Sequence, residues 1–134
     1  MGACEAQIIE VEKPVEVIVE VIQIQEPRWE IYEVTAYTAG FESTGKTPSH
    51  PEYGITASGQ RVWEMWTIAC PPEIPFGTLI FIQELQWVYS CQDRGSAITA
   101  GHLDIYMEEL ERALAFGRQQ MHIFILPATK EIKP

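Results

Sequence analysis

The sequence has few basic side chains. Lysine and arginine together number 9 among 134 residues, against 19 aspartates and glutamates, so the formal net charge is −10 at pH 7. Phosphate backbones and anionic membrane surfaces would repel such a chain, because both partners would carry negative charge. We therefore expect neither nucleic acid nor a membrane surface as a partner. Neutral or mixed-charge polymers, including glycans, remain compatible with this charge.

Long apolar stretches are also absent. No run of 18 apolar residues occurs, so the sequence predicts no transmembrane helix. The first residues lack the basic start and the apolar stretch of a secretory signal. Gly2-Ala3-Cys4 resembles only the end of a lipoprotein cleavage site.

Metal-binding motifs are missing as well. The three cysteines show no C-x-x-C spacing and the three histidines are scattered, so we expect no metal site and no cofactor. Cys70 and Cys91 both fall in strand-like segments. Two alternatives stay open for this pair: a disulfide, if the strands are neighbours, or two buried thiols.

The sequence does contain enough apolar residues, 46%, for one globular domain. Residues 1–28 differ from the rest, because glutamates and valines alternate there as in a strand with one acidic face. Pro14 and Pro27 interrupt this pattern, which we interpret as an extended acidic stalk or linker. An edge strand that pairs with another chain is the alternative. The predicted domain covers residues 29–127, and a polar tail covers 128–134.

Short β-rich segments follow one another after residue 28. Residues 39–60 form a long polar loop, which a compact domain keeps when the loop has a function such as forming a substrate wall. One helix is predicted over Glu108–Phe116, with Gly117 suited to its end. Six short strands and one helix predict a small closed all-β barrel. The predicted strands are Ile31–Thr38, Trp66–Cys70, Thr78–Gln83, Gln86–Gln92, Leu103–Tyr106 and Gln119–Leu126.

Two aspartates interrupt β-rich segments. Asp93 follows an apolar strand and precedes Arg94-Gly95, where it either holds its own turn or takes part in chemistry. Asp104 lies within a short strand, and the alternation there directs it away from its apolar neighbours. Two carboxylates in one cleft would repel each other, so one could stay protonated and act as the general acid that sugar cleavage needs. A simple outward-facing strand residue is the alternative for Asp104.

A set of short motifs, in order over about residues 34–126, resembles the 3D (three-aspartate) domain family. The similarity runs through the aspartate-bearing segments Gln92–Ile98 and Leu103–Met107. The other matching segments are Val34–Gly40, Glu42–Pro48, Tyr53–Gly59, Thr67–Ala69, Ile74–Thr78 and Ala113–Arg118.

This resemblance implies a six-stranded double-psi β-barrel, related to lytic transglycosylase A and to barwin-like barrels. It implies cleavage of the β-1,4 bond between N-acetylmuramic acid and N-acetylglucosamine in peptidoglycan, with formation of a 1,6-anhydro sugar. By motif match, Asp104 is the catalytic acid and base and Asp93 its supporting partner. The family's first aspartate is missing, because Pro71 occupies its place and Glu73 follows two residues later.

The resemblance also predicts the residues that contact substrate. Lys46 could pair with a substrate carboxylate or with the aspartates, and Tyr37 and Trp63 could stack on sugar rings. The substrate-binding candidates are Tyr37, Glu42, Ser43, Lys46, Thr47, Thr56, Ser58 and Gly95.

We therefore expect a monomeric lytic transglycosylase that acts on peptidoglycan glycan strands, outside the cell or in the cell wall. Two alternatives stay open. The missing first aspartate favours a non-catalytic glycan-binding module of the barwin-like type, and the two remaining carboxylates allow a peptidoglycan hydrolase that uses water.

Overall fold

The strands of this protein close into a barrel. In the computed structural model, which describes residues 26–127, six strands, two helices and one 3₁₀ turn (Gln83–Leu85) follow one another. The predicted stalk up to residue 25 and the tail from residue 128 lie outside the described residues. The strands are β1 (Arg28–Tyr37), β2 (Thr67–Ala69), β3 (Leu79–Ile82), β4 (Trp87–Asp93), β5 (His102–Tyr106) and β6 (Gln119–Leu126), and the helices are α1 (Phe41–Thr44) and α2 (Leu110–Phe116).

The barrel mixes parallel and antiparallel pairs. Around it the strands lie in the order β1-β5-β2-β4-β3-β6, and β6 closes onto β1. The β1/β5 and β2/β4 pairs are parallel, and the other four are antiparallel. The predicted all-β, six-stranded double-psi barrel is thus confirmed. The two parallel pairs carry the two aspartates singled out in the sequence.

The core is built from alternate strand positions. Leu103 and Ile105 of β5 are almost completely buried, as are Ile123 and Ile125 of β6 and Ile80 of β3. Burying each such side chain contributes on the order of 1.5–3 kcal/mol, and β-branched residues fit the pleated surface well. The residues between them must therefore lie on the outer surface of the barrel. Asp104 is one of these, as the sequence predicted.

A disulfide links two neighbouring strands of the barrel. Cys70 directly follows β2 and Cys91 lies in β4, with their Cα atoms 5.7 Å apart. Parallel pairing of β2 with β4 brings the two residues together. Of the two alternatives open for this pair, the disulfide is the one found. Because Ala69 and Asp93 lie within two residues of it, the bridge also fixes one edge of the site described below.

The predicted elements differ from the observed ones mainly at their ends. α2 begins at Leu110, because Glu109 has extended backbone angles and serves as its N-cap. At its other end, Gly117 has φ +65, a backbone conformation that favours glycine. The polar loop contains the unpredicted four-residue helix α1. Within residues 26–127, no helix is long and apolar enough to cross a membrane.

Candidate active site

Asp104 and Asp93 lie on the outer surface of the barrel, on either side of Ala69. Ala69 is the register partner of Asp104 on β5 and of Asp93 on β4. Ile68 pairs with Cys91 and the next residue, Ala69, pairs with Asp93, so Gln92 is the extra residue of a β-bulge. Bulges change the direction of a side chain near functional sites. Here the bulge brings Asp93 level with Asp104, and the small Ala69 leaves space between the two carboxyl groups.

Asp104 has one carboxyl oxygen bonded and one without a partner. Thr35, its register partner on β1, donates a 2.8 Å hydrogen bond to Oδ1. Among the described residues, no donor lies within hydrogen-bonding distance of Oδ2. Burial raises the pKa of the Asp104 carboxyl above its usual value, and the negative charge of Asp93 raises it further. The Thr35 hydrogen bond and the positive charges of His102 and Arg118 lower it, but they do not cancel the effect of burial.

Asp93 has no free oxygen. Tyr37 donates its hydroxyl hydrogen to Oδ2 at 2.6 Å. The backbone N–H groups of Ala57 and Arg94 both donate to Oδ1 at 2.9 Å. All three partners are donors, which suits an ionised carboxylate because that group only accepts. Burial and the charge of Asp93 hold the pKa of Tyr37 far above its usual value, so Tyr37 remains a neutral donor.

A cleft of about 400 Å³ opens above the two aspartates. The barrel contributes Tyr37, Ala69, Asp93 and Asp104 to its floor. The polar loop forms its wall, as the sequence predicted. The polar loop contributes Ala39, Ser43, Thr44 and Lys46, then Glu52, Gly54, Ile55, Thr56 and Ala57. Val62, just after the loop, and the turn residues Arg94, Gly95, Ser96 and Ile98 complete the lining.

A second cavity of about 610 Å³ adjoins the cleft. The two share Ala39, Gly54 and Val62, so the polar loop borders both. Trp63 lines this second cavity and is 67% exposed. Its indole therefore presents a broad apolar surface to anything bound there.

The second half of the chain is similar to a known family. A family model described as the 3D domain matches residues 66–127, which contain β2 to β6 and both aspartates. This match supports the resemblance of the sequence motifs to that family. No curated protein matches the chain in sequence.

Solved structures similar to this chain include crystal structures of MltA from E. coli. One has 18% sequence identity and a TM-score of 0.47. Another, described as a lytic transglycosylase fold, has 20% identity and a TM-score of 0.48. A third, with bound chitohexaose, has 18% identity and a TM-score of 0.46. The alignments cover 56–57% of this chain and 28% of MltA, so this chain spans less than a third of that protein.

Most of the predicted site residues meet in the cleft. Besides the two aspartates, the cleft is lined by Tyr37, Ser43, Lys46, Thr56 and Gly95. Lys46 donates from Nζ to the carbonyl oxygen of Glu52 at 3.2 Å and makes no ion pair with the aspartates among residues 26–127.

Three predicted residues lie outside the cleft. Glu42 lines the second cavity and accepts a short hydrogen bond from Thr38, which lowers the pKa of its carboxyl. Thr47 lies on the exposed loop beside Ser49, and Ser58 donates to Gln92. Neither Thr47 nor Ser58 lines either cavity, so their roles in substrate binding stay predictions.

The place of the missing first aspartate is filled by a buried proline. Pro71 does not line the cleft. The segment on both sides of it is held by Arg94, which donates to the carbonyl oxygens of Ile74 at 2.6 Å and Cys70 at 3.3 Å. The guanidinium also lies 4.1 Å from the ring centroid of Phe76. In this protein, therefore, Arg94 and Phe76 order the segment without a carboxylate.

The sequence did not single out Thr35, His102 or the backbone of Ala57. Thr35 could have been found, because it lies two residues before Tyr37 and strand alternation places both on one face of β1. His102 likewise precedes Asp104 by two residues on β5. Nothing in the sequence indicates that the N–H of Ala57 binds Asp93, since 36 residues separate them.

Proposed function

We propose that this protein cleaves peptidoglycan glycan strands as a lytic transglycosylase, with Asp104 as the single acid and base. One observation carries the proposal: a half-buried carboxyl with a raised pKa lines the cleft and keeps Oδ2 without a partner among the described residues. A raised pKa increases the protonated fraction of a carboxyl, and the protonated form can donate to a glycosidic oxygen.

In the proposed first step, Asp104 gives its proton to the oxygen that links N-acetylmuramic acid to N-acetylglucosamine. The bond between that oxygen and the anomeric carbon breaks, and positive charge develops on the muramic acid ring. In the second step, the 6-hydroxyl of the same ring attacks the anomeric carbon, and the Asp104 carboxylate takes the hydroxyl proton. Asp104 is protonated again at the end, and the product is a 1,6-anhydro sugar.

The surroundings of Asp93 support one acting carboxylate instead of two. A hydrolase of the two-carboxylate type needs its second carboxylate as a nucleophile or as a base for water. Asp93 accepts three hydrogen bonds, one from a side chain and two from backbone N–H groups. Three of the roughly four acceptor sites of a carboxylate are therefore occupied, which suits a residue that orients the loop and raises the pKa of Asp104.

Digestion of purified sacculi tests the proposal. Asp104→Asn should release at least 10²-fold fewer soluble muropeptides than wild type, because proton transfer by a positioned group contributes on the order of 10²–10⁴. Glu111→Gln is the matched control, since it also replaces one carboxylate by an amide, on the exposed side of α2. Equal release by Asp104→Asn and wild type would remove Asp104 from the mechanism.

A non-catalytic glycan-binding module is the second candidate, and Pro71 is the observation that favours it. Under that alternative, wild type would sediment with sacculi but release no fragments. The site would then bind glycan in the cell wall without cutting it.

A further inference from the structure

A chain of hydrogen bonds leads away from Asp104 on the side opposite the cleft. Thr35 Oγ1 lies 2.8 Å from Asp104 Oδ1 and 2.8 Å from His102 Nε2. His102 Nδ1 in turn lies 3.2 Å from the carbonyl oxygen of Ala97. Neither Thr35 nor His102 lines either cavity. Thr35 therefore contacts the acid outside the cleft, and His102 contacts Thr35, so a bound glycan would not displace them.

The donors and acceptors in this chain allow two arrangements of the protons. A carbonyl oxygen only accepts, so the hydrogen bond to Ala97 requires a hydrogen on Nδ1. A hydroxyl can donate one hydrogen and accept another. In the first arrangement, Nε2–H donates to Thr35, and Thr35 donates to an ionised Asp104. In the second, a protonated Asp104 donates to Thr35, and Thr35 donates to the bare Nε2 of a neutral imidazole.

We propose that His102 is a positioning residue which loads Asp104 with its proton through the hydroxyl of Thr35. The transfer converts the first arrangement into the second. The Nε2–H bond of the imidazolium breaks as a bond to Thr35 Oγ1 forms, and the original Thr35 O–H bond breaks as a bond to Asp104 Oδ1 forms. One imidazolium and one carboxylate become a neutral imidazole and a neutral carboxyl, so charge and protons balance.

The position of His102 suits such a role. It is half-buried and remains partly open to solvent, so its imidazole can exchange protons with water. Histidine is the side chain whose charge changes most readily near neutral pH. Asp104 can therefore be loaded while the cleft holds substrate. The relay leaves the proton on Oδ1, and a half-turn of the carboxyl about its Cβ–Cγ bond then brings the protonated oxygen to the cleft side. This inference rests on the proposed function only in giving Asp104 the role of an acid, since the relay itself belongs to the free protein.

Other charged groups surround the chain. On β1, Glu33 is the register partner of His102, and Arg118 forms an ion pair with Glu33 at 2.6 Å. Asp93 lies on the far side of Asp104, across Ala69. The charges of His102 and Arg118 favour the ionised form of Asp104 and that of Asp93 opposes it. A test must therefore separate transfer through Thr35 from the effect of charge through space.

A double-mutant cycle read by nuclear magnetic resonance makes that separation. The titration of Asp104 is followed by its ¹³C-labelled carboxyl carbon in the free full chain, in wild type, His102→Gln, Thr35→Val and the double variant. When Thr35 is present, His102→Gln should move the titration midpoint of Asp104 to higher pH. In the Thr35→Val background it should cause less than half of that shift, because the hydrogen-bonded connection is already lost. An equal shift in both backgrounds would overturn the relay.

The tautomer of His102 gives a second, independent result. ¹⁵N spectra of the labelled imidazole should show a hydrogen on Nδ1 in both charge states, with only Nε2 titrating. A neutral form that carries its hydrogen on Nε2 would overturn the relay, because that nitrogen could not then accept from Thr35. Thr35→Ser keeps the hydroxyl and should behave as wild type. This control shows whether an effect of Thr35→Val comes from the lost hydroxyl or from a loss of folding.

These measurements do not depend on catalysis. If sacculi stay intact while the cycle shows coupling through Thr35, the proposed function fails and the relay stands. If anhydro products form but the cycle shows equal shifts, the relay fails and the proposed function stands.

With activity present, Thr35→Val and His102→Gln should each lower kcat on the order of tenfold with little change in KM. The double variant should be no slower than the slower single one. His122→Gln, a histidine paired with Glu84 on the surface, serves as the control.

Discussion

The hydroxyl of Tyr37 donates to Asp93 across 2.6 Å, joining the end of β1 to the end of β4. Asp93 also binds the backbone of Ala57, so the same carboxylate attaches the polar loop to the barrel. One residue thereby fixes the floor of the cleft and part of its wall. The neighbouring Asp104 keeps Oδ2 without a partner among residues 26–127, as the proposed acid requires.

Removing the Tyr37 hydroxyl should loosen this junction. Tyr37→Phe keeps the ring and its edge contact with Tyr106 but leaves Asp93 Oδ2 without its donor. Hydrogen bonds to charged groups contribute on the order of 2 kcal/mol. We expect the free energy of unfolding in urea to fall by about that amount. The Tyr53 hydroxyl makes no hydrogen bond within residues 26–127. Tyr53→Phe should therefore lower the free energy of unfolding much less, and equal losses in the two variants would argue against this role of Tyr37.

The disulfide should contribute a large part of the stability. Cys70 and Cys91 are 21 residues apart, and closing a loop of that size is worth on the order of 3 kcal/mol. The double variant Cys70→Ala/Cys91→Ala should therefore unfold at a clearly lower urea concentration than wild type. Reductant should lower the urea midpoint of unfolding of the wild type and leave that of the double variant unchanged. An unchanged midpoint in the double variant would contradict the prediction.

Arg94 should be needed as arginine and not only as a positive charge. Its planar guanidinium donates to the carbonyl oxygens of Cys70 and Ile74 while it stacks on Phe76. Lysine cannot reproduce that geometry. Arg94→Lys should lower the free energy of unfolding in urea by on the order of 1–3 kcal/mol. Arg61 is exposed, so Arg61→Lys should change this free energy little. Similar small losses in both would show that charge alone suffices.

Asp104→Asn should stabilise the protein near neutral pH. The folded pKa of Asp104 lies above its usual value of 3.8. Below that value the carboxyl is protonated in both states, so it has no effect on stability. As pH rises through the window between the usual and the raised pKa, the unfolded chain releases the proton first, and wild type loses stability.

Asparagine does not titrate and keeps an oxygen that can accept from Thr35. The variant's gain over wild type should therefore grow with pH and then level off. Urea unfolding at a series of pH values from about 3 to about 8 measures this difference. A difference that does not change with pH would contradict it. Glu111→Gln should show no comparable rise.

The local features of this domain could be predicted from sequence. Short β-rich segments identified all six strands, and alternation within one of them directed Asp104 away from Leu103 and Ile105. Gly117 marked the end of α2. These features depend on neighbours along the chain, which is the information that a sequence pattern contains.

The contacts that complete the site could not be predicted. Thr35 reaches Asp104 because β1 and β5 pair in parallel across 69 residues of sequence, and Ala57 reaches Asp93 because the loop folds back over β4. The bulge at Gln92 decides which carboxylate lies beside Ala69. Such contacts depend on how the barrel closes, and the alternation of one strand does not specify that closure.

The chemistry of the new chain ends tests the central claim most directly. Purified sacculi are digested with the wild-type protein, and the soluble muropeptides are analysed by mass spectrometry with and without borohydride reduction. The account predicts 1,6-anhydro ends, one water lighter than reducing ends and unaffected by borohydride, and their loss in Asp104→Asn. Reducing ends that borohydride modifies, or fragments formed equally well by Asp104→Asn, would contradict it.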